Sequence, residues 1–207
     1  MEYLDIYDES KNYLGKEERS VVHKKGLWHN TIHCWIYDAS GNVYFQVRKD
    51  ELKMYTTASG HVLAGESLEE AFGREIYEEI GIKIDYEKAK KVDVVVWKMD
   101  KKKADGTLFI DRAFANTYIY ELKDINVNFK FDESEVQGLI KVNAEEALKV
   151  LANDTLTIDG EYIFNKNDSV VYEDKKVTHN DFLIMSHETG LGKYGFVLNK
   201  IIEVSKK

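Results

Sequence analysis

GHVLAGESLEEAFGREIYEEIGI, residues Gly60 to Ile82, is the stretch on which the fold turns. Ser67 can cap a helix, and Glu70 three residues on completes a capping-box spacing. Leu68, Phe72, Ile76 and Ile80 then recur at four-residue intervals, a helical stripe. Gly81 is placed to end the helix in a left-handed conformation. The spacing predicts a helix from Leu68 to Ile80. At about 100° per residue from Leu68, the apolar stripe covers roughly 0° to 120°. Glu79 then falls at about 20°, Glu75 at about −20° and Glu78 at about −80°. These carboxylates border the apolar face instead of opposing it, and Tyr77 takes the outward side.

A solvated acidic face is the ordinary reading of such charge. Here Glu75, Glu78 and Glu79 crowd at i, i+3 and i+4 on a partly buried edge, where they repel one another. Arg74, at about −120°, cannot face all three. A divalent cation can. Mg²⁺ and Mn²⁺ take oxygen ligands and are commonly held by carboxylates together with substrate phosphates.

The rest of the chain suits a folded globular domain. Its 207 residues allow one sizeable domain, and 43% are hydrophobic, enough for a large core. The net charge of −8 argues against binding a nucleic-acid polymer, which needs a basic surface. It leaves room for a small phosphorylated substrate neutralised by metal. The single cysteine, Cys34, excludes an intramolecular disulfide. No apolar run is long enough to span a membrane. The acidic start, MEYLDIYDES, is unlike a targeting peptide, so the cytoplasm is expected. Nothing in the sequence speaks against a homodimer.

Working outward from the helix, YLDIYD reads as a strand and ESKNYLG as a turn. TIHCWIYDASGNVYFQVR reads as a β-hairpin turning at Gly41. VDVVVWKM is a buried strand, DKKKADG a charged loop, TLFIDRAFANTYIYEL a long strand and LIKV a short one. Asn143 can cap a helix reaching about Ala152. Beyond about residue 153, short strands (EYIF, SVVY) mix with apolar-periodic stretches (DFLIMSHE, YGFVLNKIIEVS). The expected fold class is α+β, a mixed α/β sandwich with helices covering a mixed sheet. One domain is expected over 1–207. Residues 1–30 would form an N-terminal hairpin or arm, and about 153–207 an extension packed on the same core.

The stretch Gly60-x5-Glu66-x7-Arg74-Glu75-Ile76-x-Glu78-Glu79-x-Gly81-Ile82 resembles the Nudix box. LDIYDE, RSVVH, WHNTIH and GHVLAGES are similar to the isopentenyl-diphosphate-isomerase-like branch of that superfamily, and the likeness covers roughly residues 2 to 150. The resemblance implies a Nudix fold, a mixed sheet between helices, and Mg²⁺- or Mn²⁺-dependent cleavage of a nucleoside diphosphate linked to another group. Glu75 and Glu79 would bind metal, and Glu78 would be a ligand or a base. Gly60 would let the backbone approach the metal. Glu66 would position Arg74, which would orient the carboxylates. A further carboxylate from a later loop is expected, Glu135 being preferred over Glu133. Arg48, Lys53 and Arg112, with Lys49, are candidates for substrate phosphates. Tyr55, Trp28, Trp35 and Trp97 could carry an apolar group or simply pack in the core.

Two alternatives accompany this reading: an isomerase of prenyl diphosphates, and a non-catalytic nucleotide-binding module. The isomerase resemblance requires a cysteine immediately before the Gly-His pair, and Ser59 stands there. Its partner glutamate would fall near Asp111 or Ala113. The isomerase's box lacks carboxylates that this chain keeps, which favours hydrolysis. His23, His29 and His61 fall near positions where the isomerase binds a metal. They are either an inherited second site or polar residues hydrogen-bonded at strand ends.

Overall fold

A computed structural model describes residues 1–103, 105–123, 127–167, 169–184 and 191–206, with the side chain of Lys193 left out. In chain order it comprises β1 (Tyr3–Tyr7), β2 (Tyr13–Glu18), α1 (Arg19–Lys25), β3 (Trp28–Tyr37) and β4 (Asn42–Arg48). Then come β5 (Met54–Tyr55), β6 (Ala58–His61), α2 (Leu68–Ile80), β7 (Lys90–Lys102) and β8 (Leu108–Glu121). The chain continues through β9 (Val136–Asn143), α3 (Ala144–Ala152), β10 (Thr157–Lys166), β11 (Ser169–Thr178) and α4 (Gly192–Ser205). No helix among the described residues is long and apolar enough to cross a membrane.

The helix that opens the sequence reading has the expected bounds and both halves of the capping box. Its C-cap, Gly81, sits at φ 74°, a conformation that L side chains avoid. A Cβ there would also strike Lys130. Phe72, Ile76 and Ile80 are fully buried, and each such side chain contributes about 1.5–3 kcal/mol of transfer free energy. Asn143 caps α3 by accepting from the backbone N–H groups of Glu145 and Glu146.

Strand β3 organises the sheet because it is apolar on both faces. Ile32, Cys34 and Ile36 pack with the α2 residues Ala71, Phe72, Ile76 and Ile80. Trp35 and Tyr37 belong to the opposite core, with Val150 of α3 and Tyr194, Val197, Leu198 and Ile201 of α4. Helices therefore cover both faces of a mixed sheet, as the α+β expectation required. The order is β11-β10-β9-β4-β3-β1-β2; β5 pairs with β4, β6 and β8 pair with β3, and β7 pairs with β8. The β3·β8 pairing is parallel and runs the length of β3.

Four readings of the chain are corrected. VDVVVWKM is a strand but not a buried one: in β7, which pairs with β8, only Trp97 is buried and Val96 is 57% exposed. The expected β3–β4 hairpin closes only at its turn, where Tyr37 pairs with Val43. Below that the strands part, because β3 takes β6 and β8 as partners while β4 takes β9. ESKNYLG is a turn only at its start, and Tyr13–Glu18 forms β2 against β1. EYIF and SVVY are the middle and start of two ten-residue strands that form one antiparallel hairpin. In DFLIMSHE, only residues 181–184 fall within the described chain. Helix α1, preceding β3, was not anticipated from the sequence.

Candidate active site

A cleft of about 790 Å³ opens beside α2 and β6. Thr31 and His33 of β3 line it, together with Ser59, Gly60 and His61 of β6 and Arg74, Glu75, Glu78 and Glu79 of α2. Glu135, at the approach to β9, faces it from the other side. The α2 carboxylates and Glu135 thus meet in one space.

Glu79 is only 4% exposed. Its donors are neutral: the Ser59 backbone N–H at 3.0 Å and the Gln46 side chain. Burial pushes its carboxyl up to about 8, helped by the negative charges of Glu75 and Glu135. Burial also raises Glu75, but the Arg74 guanidinium beside it works against that rise. Ionising both carboxylates is costly without a cation between them. Gly60 faces Glu75 so closely that a Cβ there would overlap its carboxyl group.

Arg74 connects the start of the box to its end. Its Nε donates to Glu66 Oε1 at 2.7 Å and its Nη2 to Glu66 Oε2 at 2.8 Å, a bidentate grip. Nη1 donates to Glu75 at 2.8 Å and to Glu78 at 3.1 Å. Nη2 also reaches the His61 carbonyl at 2.9 Å. Glu66 itself accepts from the Leu63 backbone N–H. The guanidinium thus orients two of the three carboxylates and leaves Glu79 to the backbone of β6. A carboxylate set with one deeply buried, uncompensated member fits an oxygen-coordinated divalent cation.

A second cluster adjoins the first. His23 of α1, His29 of β3 and His61 of β6 each offer one ligand nitrogen, all within 4.8 Å of one another. Asp111 of β8 lies 3.7 Å from His23 Nδ1 and 3.5 Å from His29 Nε2. His29 Nδ1 lies 3.0 Å from the Leu27 carbonyl, so that nitrogen carries the proton and Nε2 is left with its lone pair. Burial holds His23 and His29 down at about 4, and lifts Asp111 to about 6. The imidazoles are therefore neutral, the form that binds metals. His23 Nε2 and His61 Nε2 lie 3.0 Å apart, within hydrogen-bond reach, but His23 Nδ1, His29 Nε2 and Asp111 Oδ1 are buried without a hydrogen-bond partner among the described residues, so hydrogen bonding does not account for the whole cluster. This nitrogen-rich set suits a transition metal more than Mg²⁺.

The phosphate candidates divide. Arg48 and Arg112 line the cleft. Lys53 does not line it; its ammonium donates to the Asn180 carbonyl. Every Lys and Arg lining the cleft is ion-paired: Arg19 with Glu2, Arg48 and Lys101 with Glu51, Lys98 with Glu9, Arg112 with Asp100, and Arg74 as above. Sequence reasoning missed Arg19, Glu51 and Lys101, since nothing local distinguishes them from surface charge. Tyr55 and Trp97 line the cleft, whereas Trp28 and Trp35 are packed in the protein.

The family model described as the NUDIX domain matches residues 27–162. The chain belongs to the Nudix family. An uncharacterized Nudix hydrolase of Clostridium acetobutylicum is 30% identical over 98% of each chain, so the likeness includes the tail of this Nudix protein. The isopentenyl-diphosphate Delta-isomerase 2 of Photorhabdus laumondii is 31% identical over 39% of this chain and 48% of its own. In fold, this Nudix chain is similar to the crystal structure of DR0079 from Deinococcus radiodurans. That match has a TM-score of 0.52 at 19% identity and covers 73% of this chain and 88% of that one.

Proposed function

We propose that this Nudix chain is a metal-dependent pyrophosphohydrolase. Its substrate would be a nucleoside diphosphate linked to another group, cleaved by water attack on phosphorus. The observation that carries the reading is Glu79, buried beside Glu75 and facing the same cleft as Glu135, with no ion pair to a cationic side chain among the described residues. Acidic residues lining the cleft outnumber basic ones, and the basic ones are already paired. A diphosphate could not enter such a field without counter-cations. Glu75 and Glu79 would hold the cation, with the Gly60 backbone beside them. Bound there, a divalent ion neutralises phosphoryl oxygens and lowers the pKa of water. Glu78 and Glu135 are the carboxylates available to take the proton from the attacking water. Arg74 keeps Glu75 and Glu78 aimed into the cleft.

Hydrolysis is favoured over isomerisation by the thiol's position. Cys34 is buried in the core under α2, and burial pushes its thiol well up. Ser59, which does line the cleft, offers only a hydroxyl. The His23–His29–His61 cluster with Asp111 would hold a second, transition-metal ion that ties α1, β3, β6 and β8 together beside the cleft.

Nucleoside diphosphates, nucleoside-diphosphate sugars, dinucleotides and prenyl diphosphates, each offered with Mg²⁺, test the reading by product analysis. Cleavage of at least one nucleotide is expected. Isomerisation of a prenyl diphosphate without turnover of any nucleotide reverses it. Arg74→Lys is expected to lower kcat/KM about 10- to 100-fold while the protein stays folded. An ammonium cannot grip Glu66 with two bonds and still reach Glu75 and Glu78. Steady-state kinetics on the best substrate, beside a melting curve, checks this.

A further inference from the structure

The tail beyond the matched family region does more than cover the core. Residues 180–183 lie along β5. Leu183 N–H donates to the Met54 carbonyl at 2.9 Å, and Phe182 bridges Met54 in parallel register. The Lys53 ammonium donates to the Asn180 carbonyl. From α4, the Tyr194 hydroxyl sits 3.0 Å from the Met54 carbonyl and 2.9 Å from the Leu183 carbonyl, spanning the two segments. Phe182 and Tyr194 pack edge-to-face in the core with centroids 5.6 Å apart. The next residue of each segment then turns to the cleft: Tyr55 from β5 and Leu183 from the tail both line it.

This wall stands beside the carboxylates. Tyr55 pairs across β4–β5 with Gln46, whose amide reaches Glu79. The Arg48 guanidinium lies 5.8 Å from the Tyr55 ring centroid, and His33 meets the ring edge-on at 5.8 Å. Glu51 already engages Arg48 at 3.1 Å and Lys101 at 3.2 Å. No unpaired positive charge among the lining residues awaits a longer phosphate chain, whereas an aliphatic and an aromatic surface are present. An uncharged face gains from burial there, and a charged one loses hydration without compensation.

We infer that residues 180–183 are a specificity element: Tyr194 locks them to β5, and Leu183 forms with Tyr55 the subsite for the uncharged group carried by the diphosphate. This rests on the cleft's being a diphosphate site, and it assigns Leu183 to specificity and Tyr194 to positioning. The substrates it selects are diphosphates bearing a nucleoside, sugar or hydrocarbon face over compounds extended by further phosphates.

Leu183→Ala, Leu183→Asp and Tyr194→Phe test it, with the neighbouring exposed Ile184→Ala as control. Each would be assayed with Mg²⁺ on nucleoside-diphosphate sugars, dinucleotides and prenyl diphosphates, with calorimetric binding measured for these compounds and for inorganic pyrophosphate. Leu183→Asp is expected to raise KM about tenfold or more for the group-bearing diphosphates and to change kcat less than about twofold. Leu183→Ala and Tyr194→Phe should shift KM in the same substrate pattern by about threefold. Pyrophosphate affinity and the Ile184→Ala kinetics should not move. Unchanged KM in the Leu183 variants, or an equal loss for pyrophosphate, overturns the inference while leaving hydrolysis intact. If the wild type cleaves nothing, the hydrolase reading falls, and the calorimetric constants decide this one. Weaker binding of group-bearing diphosphates in Leu183→Asp sustains it. Equal binding, or no binding at all, sinks it.

Discussion

Glu79→Gln is expected to cost metal-dependent cleavage about a hundredfold or more, since it removes a charged ligand from the deepest point of the cleft. The same variant should melt no lower than wild type in chelator, and at neutral pH higher. The physical reason is the burial that lifts the Glu79 carboxyl from an ordinary value of 4.5 to about 8. Between those values the folded, metal-free protein holds a proton that the unfolded chain has released. Stability in chelator therefore falls as pH rises through that window. An amide has no such titration, so the slope attributable to this position disappears in Glu79→Gln. Mg²⁺ or Mn²⁺ should restore wild-type stability at pH 8 and do less for the variant. Thermal melting from pH 5 to 8, with and without metal, reads both effects. Full activity in Glu79→Gln, or a melting profile indifferent to metal, would remove Glu79 from the proposed metal site.

His29→Ala should strip the second cluster of its ion. Wild-type protein given Zn²⁺ or Mn²⁺ and passed through a desalting column is expected to retain about one equivalent beyond any weakly held Mg²⁺, with affinity lowered about a hundredfold or more in the variant. Elemental analysis gives the stoichiometry without reference to activity. Acid should release the ion, because protons compete for the imidazoles. Chelation should lower the melting temperature of wild type by more than that of His29→Ala, which keeps only the carboxylate site. No retained transition metal under any loading would mean that the three unpaired atoms around Asp111 and the histidines are satisfied in another way.

The helix at the centre of the site was legible because its determinants are local. Ser67, Glu70 and Gly81 mark its ends, and the four-residue recurrence of Leu68, Phe72, Ile76 and Ile80 marks its buried face. With the axis known, the angular position of each glutamate followed, and so did the crowding that points to a cation. Arg74 shows where that reasoning stopped. Its wheel position said that it could not face all three carboxylates, and it reaches Glu75 and Glu78 but not Glu79; what the wheel did not show is the grip on Glu66 eight residues back. Lys53 shows a different limit, since its proximity in sequence to Arg48 said nothing of Asn180.

What the sequence determined by itself was the content of short windows: the caps, the stripe and the carboxylate spacing. What the tertiary structure alone decided was which distant windows meet. Strand β3 leaves β4 after one pair and runs parallel to β8. That register brings Asp111 against His23 of α1 and His29 of β3. The tail reaches β5 through Tyr194 and Leu183, some 130 to 140 residues downstream of Met54. A helical period is written in side chains three and four apart, where the backbone's own hydrogen bonds hold them. Pairing between remote strands is a competition among partners of similar apolar pattern, settled only when the whole sheet closes over both cores.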